Sequence, residues 1–141
     1  MVAGIVLLLL WMGALSVCDI RHRRLPNALT LPGGAAILLA AAWAGRGLPA
    51  LGGAVALVGI YLLVHLVAPA AMGAGDVKLA IGLGGLVGCF GADVWFLAAL
   101  AAPLLTALVG LAAGLRGMRA VPHGPSMCLA TAVAAGLALR G

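Results

Sequence analysis

The chain has 141 residues, a net charge of +5 and a mean hydropathy of +1.27, with 65% of its residues hydrophobic and only 8% charged. A soluble domain carries about 25% charged residues, so this composition excludes a water-soluble fold and makes the bilayer the natural solvent. The pI near 10.1 does not point to nucleic acid: the eight Lys and Arg residues fall between apolar runs, and the few aromatics (Trp11, Trp43, Trp95, Tyr61, Phe90 and Phe96) are too scattered for a base-stacking surface.

Six apolar segments follow one another, at about residues 2–18, 29–44, 51–70, 78–92, 94–115 and 124–140. A span needs about 20 residues, within a range of about 17–25. The first resembles a signal peptide in length, but it has no basic leading region and no A-x-A-like site before Asp19, so it reads as a retained helix. The third and fifth are long enough outright, and the first, second and sixth gain length from their flanks. The fourth is short and Gly-rich, through Ile81-Gly82-Leu83-Gly84-Gly85. No period-2 alternation is sustained, and an open sheet cannot sit in lipid. The expectation is one all-α domain over residues 1–141, a polytopic membrane protein with six transmembrane helices.

Charge sets the expected orientation. The first, third and fifth loops hold Arg21, Arg23, Arg24, Lys78, Arg116 and Arg119, and the opposite side holds Arg46 and Arg140. The positive-inside rule then makes the three basic loops cytoplasmic and puts both termini outside. The parity also supports the fourth span, because without it Arg116 and Arg119 fall on the wrong side.

The chain has only three acids, and Asp19 and Asp76 fall on the same expected face. Asp19 follows the first span, Asp76 immediately precedes the fourth, and two spans between them return the chain to that face. A carboxylate at a helix centre costs about 2.5–3.5 kcal/mol to insert, less near an interface, so each acid needs a reason. Asp19 could pair with Arg21, Arg23 or Arg24, and Asp76 could cap the fourth helix. Asp93, in Gly91-Ala92-Asp93 on the opposite side, reads as a turn or cap residue. Around Asp76 the run is Met72-Gly73-Ala74-Gly75-Asp76-Val77-Lys78. Glycines there allow unusual backbone angles and close approach by another chain, which a peptide substrate needs. Two carboxyls sharing a site do not readily both ionise: one keeps its proton as the acid and the other serves as base toward water.

These residues resemble a known family, the type IV prepilin peptidases, which are G-x-G-D membrane aspartic peptidases. Three stretches carry the resemblance. The first is Asp19-Ile20-Arg21-His22-Arg23-Arg24-Leu25-Pro26-Asn27, with Pro seven residues after the Asp, followed by Leu29-Thr30-Leu31-Pro32. The second is Gly73-Ala74-Gly75-Asp76-Val77-Lys78-Leu79. The third is Val121-Pro122-His123-Gly124-Pro125, similar to the family's Pro-Phe-Gly-Pro with His123 in place of Phe. The resemblance implies Asp19 and Asp76 as the catalytic pair, Gly73, Gly75 and Lys78 as their supporting loop, and a prepilin or pseudopilin substrate. It implies that a short basic leader is removed at the cytoplasmic face of a bacterial inner membrane. Many members also carry an N-terminal region with paired cysteines and methylate the new N-terminus. This chain starts in an apolar helix, and Cys18, Cys89 and Cys128 are isolated, so it resembles the peptidase-only branch serving tight-adherence or Flp-type pili, without methyltransferase activity.

Lys78 can orient the carboxyls or lower a carboxylate pKa, or simply snorkel to the surface. Arg21, Arg23 and Arg24 suit anionic headgroups, Pro26 and Asn27 suit the turn into the second helix, Pro103 suits a bend in the fifth, and His65 suits an interhelical hydrogen bond. No C-x-x-C pair and no H-E-x-x-H spacing is present, so no zinc, redox dithiol or other cofactor is expected. The rival readings are a small proton- or cation-coupled transporter using the same aspartates, and a peptidase that cuts inside substrate helices.

Overall fold

The computed structural model describes all 141 residues as six α-helices. They are α1 (Val2–His22), α2 (Asn27–Trp43), α3 (Gly47–Val67), α4 (Ala74–Gly88), α5 (Ala92–Gly114) and α6 (Gly124–Arg140). Three of them, α1, α3 and α5, are long and apolar enough to cross a membrane; α2 and α6, at 17 residues each, are shorter apolar helices.

The packing is inverted relative to a soluble protein. Large side chains such as Leu10, Leu63, Leu100 and Leu108 face outward, each more than 60% exposed. Much of the interior is Ala and Gly around a few buried large residues, among them Leu15, Leu79, Leu83 and Met127. Contiguous apolar surface on this scale marks a membrane-facing exterior. Small interior residues let helices approach until dispersion contacts hold them, which is what association in lipid requires.

Helix α4 shows why its sequence signal is weak. It is 15 residues long, eight of them buried, and it packs against α2, α3, α5 and α6. Its glycines are approach points. A Cβ on Gly84 would lie 2.7 Å from the Gly53 carbonyl oxygen, and one on Gly88 would lie 2.6 Å from the Pro49 carbonyl oxygen, so α3 and α4 touch backbone to backbone. The Trp95 indole N–H donates to the Gly53 carbonyl at 2.9 Å and locks α5 onto that seam.

Several boundaries differ from the sequence expectation. Helix α3 begins at Gly47 rather than near residue 51, because Pro49 sits in its first turn, where a missing N–H costs nothing. Helix α4 begins at Ala74, so Asp76 lies in its first turn instead of ahead of it. Asp19 likewise lies inside the last turn of α1.

The loops sort as the charge parity requires. Arg23 of the first loop donates to the Ala120 carbonyl of the fifth at 2.8 Å, and Lys78 Nζ in α4 donates to Asn27 Oδ1 at the start of α2 at 2.9 Å. At the other end, Arg46 of the second loop donates to the Cys89 carbonyl of the fourth at 2.6 Å.

Candidate active site

The end that gathers the first, third and fifth loops holds a cleft of about 390 Å³ lined by Asp19, Asp76, Arg23, Arg24, Asn27 and Lys78 together with the Gly73–Gly75 segment. Its lining is mostly polar, whereas two larger grooves on the bundle, of about 490 and 610 Å³, are lined mainly by apolar side chains. The two carboxyls, 57 positions apart in the chain, lie within electrostatic reach of one another across it.

Asp19 is delivered by the end of α1. The helix stops at His22, and Arg23 takes the left-handed conformation (φ 52°, ψ 30°), its N–H returning to the Asp19 carbonyl at 2.9 Å. A left-handed non-glycine residue costs about 1–2 kcal/mol, and here the Arg23 side chain spends its guanidinium on Ala120 rather than on Asp19. Of the three arginines that could pair with Asp19, Arg23 is thus turned to another partner. Asp19, 7% exposed, accepts at Oδ2 from the backbone N–H of Gly124 at 2.9 Å. Gly124 is the first residue of α6, whose leading N–H groups have no partner within the helix and carry its positive dipole end. A Cβ on Gly124 would sit 2.6 Å from that same Oδ2, so only glycine brings the donor this close.

Asp76 is delivered by the start of α4. Gly73 is the N-cap and Asp76 the third residue of the helix, its carboxyl turned back toward the Gly73 backbone. Its Oδ1 is buried and has no hydrogen-bond partner. The glycines act through space and not through unusual backbone angles: Gly73 has φ −73°, and neither Gly73 nor Gly75 is among the residues with positive φ. A Cβ on Gly75 would lie 3.0 Å from Leu25 Cβ, and one on Gly73 would lie 3.3 Å from Asp76 Oδ2. Helix α4 thus enters directly beneath the Leu25-Pro26 turn.

The supporting residues divide. Lys78 Nζ reaches Asn27 Oδ1, which joins α4 to the start of α2 at the cleft. Pro26 is the extended N-cap of α2 and accepts from Thr30 Oγ1 at 3.2 Å. His65 Nδ1 bonds the Met72 carbonyl at 2.7 Å, which ties the end of α3 to the residue just before Gly73. His123 Nε2 lies 3.0 Å from Tyr61 Oη of α3, and its Nδ1 lies 2.6 Å from Thr106 Oγ1 of α5. Burial holds the His123 imidazole below its ordinary pKa.

A model of the type IV leader peptidase family matches residues 6–115, well over half of the chain. The chain belongs to the type IV leader peptidase family. No curated protein and no solved structure matches it. As a leader peptidase it is a protease, which decides against the transporter reading. The matched residues include both aspartates but end before Val121–Pro125, the stretch that contributes the Gly124 donor to Asp19. Sequence reading missed Tyr61, Thr106 and the Gly124 N–H. The available signal was polarity, since Tyr61 and Thr106 are hydroxyls inside long apolar helices.

Proposed function

We propose that this leader peptidase is an aspartic endopeptidase in which Asp19 and Asp76 together hydrolyse the bond after the basic leader of a prepilin-like protein. What carries the reading is one polar cleft lined by both carboxyls at the end of the bundle where the basic loops meet. One carboxylate takes a proton from water. The hydroxide so formed attacks the scissile carbonyl carbon while the other carboxyl gives its proton to the carbonyl oxygen. The tetrahedral intermediate then collapses, the C–N bond breaks, and the amine leaves protonated. The pair titrates as a unit, so the two roles are assigned to the pair. The unpartnered Oδ1 of Asp76 suits this chemistry, because a buried acceptor without a donor is costly until water or substrate supplies one.

In this reading all six helices cross the inner membrane of a bacterium, with the basic loops and the cleft cytoplasmic. Arg23, Arg24 and Lys78 hold the cleft mouth near the headgroups. Methyl transfer is not part of the proposal.

The test is co-expression with a pilin precursor, read as a gel shift with N-terminal sequencing of the product. Asp19→Asn and Asp76→Asn should each leave the precursor uncut while the variant still reaches the membrane. Full processing by either variant would sink the proposal, and a cut inside the substrate's apolar helix would redirect it.

A further inference from the structure

The hydrogen bonds around His123 fix more than its place. The Thr106 hydroxyl has one proton, and it goes to the Ala102 carbonyl one turn back at 3.1 Å. With the proton assigned to Ala102, Thr106 Oγ1 accepts from His123 Nδ1–H at 2.6 Å. In the neutral ring Nε2 is then the acceptor, and the Tyr61 O–H donates to it at 3.0 Å. The result is a directed chain from Tyr61 through His123 and Thr106 to Ala102, joining α3, the loop before α6, and α5.

His123 is also the N-cap of α6. Its carbonyl accepts the first helical bond, from Met127 N–H at 3.1 Å, and its C-terminal peptide bond carries the Gly124 N–H. That N–H makes the only hydrogen bond the Asp19 carboxyl has. Ring and donor are parts of one short rigid unit, and the ring is held at both nitrogens by side chains from two other helices.

We infer that His123 is a positioning residue for the reaction: clamped between Tyr61 and Thr106, it holds the Gly124 N–H against Asp19 and so sets the orientation of that carboxyl. The inference rests on Asp19 being one of the catalytic pair. His123 touches neither substrate nor carboxyl and acts through the peptide that follows it. The consequence is specific. Loosening the clamp leaves the cleft and its basic rim in place but lets the carboxyl turn, so substrate binds as before and the chemical step slows.

The experiment compares kcat and KM for the purified enzyme in lipid nanodiscs on a pilin-precursor peptide that spans the cleavage site. The variants are His123→Phe, Tyr61→Phe, Thr106→Val, the double variant Tyr61→Phe/His123→Phe, and Asp19→Asn. Phe, the residue usual at this place in the family stretch that Val121–Pro125 resembles, keeps an aromatic ring there and removes both hydrogen bonds. The expected result is a fall in kcat of about tenfold for His123→Phe, the scale of one hydrogen bond to a charged group, with KM within about twofold of wild type. Tyr61→Phe should lower kcat in the same sense, and the double variant should be no worse than His123→Phe alone, because Tyr61 acts only through the ring. If His123→Phe does not fold, judged by its thermal midpoint, the near-isosteric Tyr61→Phe and Thr106→Val decide. In that case wild-type kcat in both overturns the inference. Wild-type kcat in a folded His123→Phe overturns it, as does a loss confined to KM, or additive losses in the double variant. Asp19→Asn separates the two levels: cleavage by that variant overturns the aspartate reading and this inference with it, whereas an inactive Asp19→Asn beside a fully active His123→Phe overturns this inference alone.

Discussion

Gly124→Ala is the sharpest perturbation the structure offers, because its size follows from two distances. The new Cβ would stand 2.6 Å from Asp19 Oδ2, whereas ordinary contact begins at 3.4 Å. The two groups must part by about 0.8 Å, and along the N–H···O direction this stretches the bond from 2.9 Å to about 3.7 Å, beyond hydrogen-bonding range. A hydrogen bond to a charged group contributes about 1.5–3 kcal/mol, which corresponds to roughly ten- to 150-fold in a rate that depends on it. The helix itself has little to lose, since alanine suits a first-turn position better than glycine does. Leader removal from a pilin precursor, followed on a gel at matched enzyme levels, should therefore slow by at least about tenfold while the thermal midpoint stays within a few degrees of wild type. Wild-type cleavage by a folded Gly124→Ala would refute the argument that this N–H holds Asp19.

Three further outcomes follow from the same geometry. Gly88→Val places a branched side chain where even a Cβ would lie 2.6 Å from the Pro49 carbonyl oxygen, so the α3–α4 seam must open; the variant should lose about 3 kcal/mol or more of stability, seen as a large drop in thermal midpoint in detergent. Lys78→Met keeps the apolar stem and removes the bond to Asn27 Oδ1; the pair is exposed, so activity should fall only a few-fold, and a double-mutant cycle with Asn27→Ala should return a coupling below about 1 kcal/mol. The third concerns pH. Burial holds His123 below its ordinary value of 6.5, so the unfolded chain takes up a proton first as pH falls. The stability tied to the neutral ring is complete above about pH 6.5 and is lost as pH falls toward the folded-state pKa, and His123→Phe should flatten that acid-side slope of thermal midpoint against pH.

Much of the fold was legible because lipid leaves few options. Apolar runs had to be helices, and the positions of eight basic residues were enough to sort the loops, a sorting that the Arg23–Ala120 and Arg46–Cys89 bonds display directly. The errors have local causes. Charged residues and glycines read as loop, so the first turn of α4 was assigned to the segment before it, although an interior helix needs its glycines for approach and Asp76 sits within it. The two aspartates were legible through scarcity. Their supports were not, because a backbone N–H carries no sequence signature and the bond from Gly124 to Asp19 spans 105 positions. His123 stood out only as an unusual residue in a recognisable stretch; its partners Tyr61 and Thr106 look like ordinary helix residues until the bundle closes.

The shortness of α4 has a mechanical consequence. Fifteen residues rise about 22 Å, against about 30 Å for the hydrocarbon layer. In the proposed six-span arrangement that shortfall has to be met at one or both ends of α4, by thinning of the lipid beside it or by neighbouring helices that wall off a wet notch. With such a notch at the Asp76 end, a precursor of the proposed kind, anchored by its own apolar helix, would have to be drawn down into it and shed part of its helical winding. Membrane thickness then becomes a control on turnover: thicker bilayers should deepen the descent that the scissile bond must make.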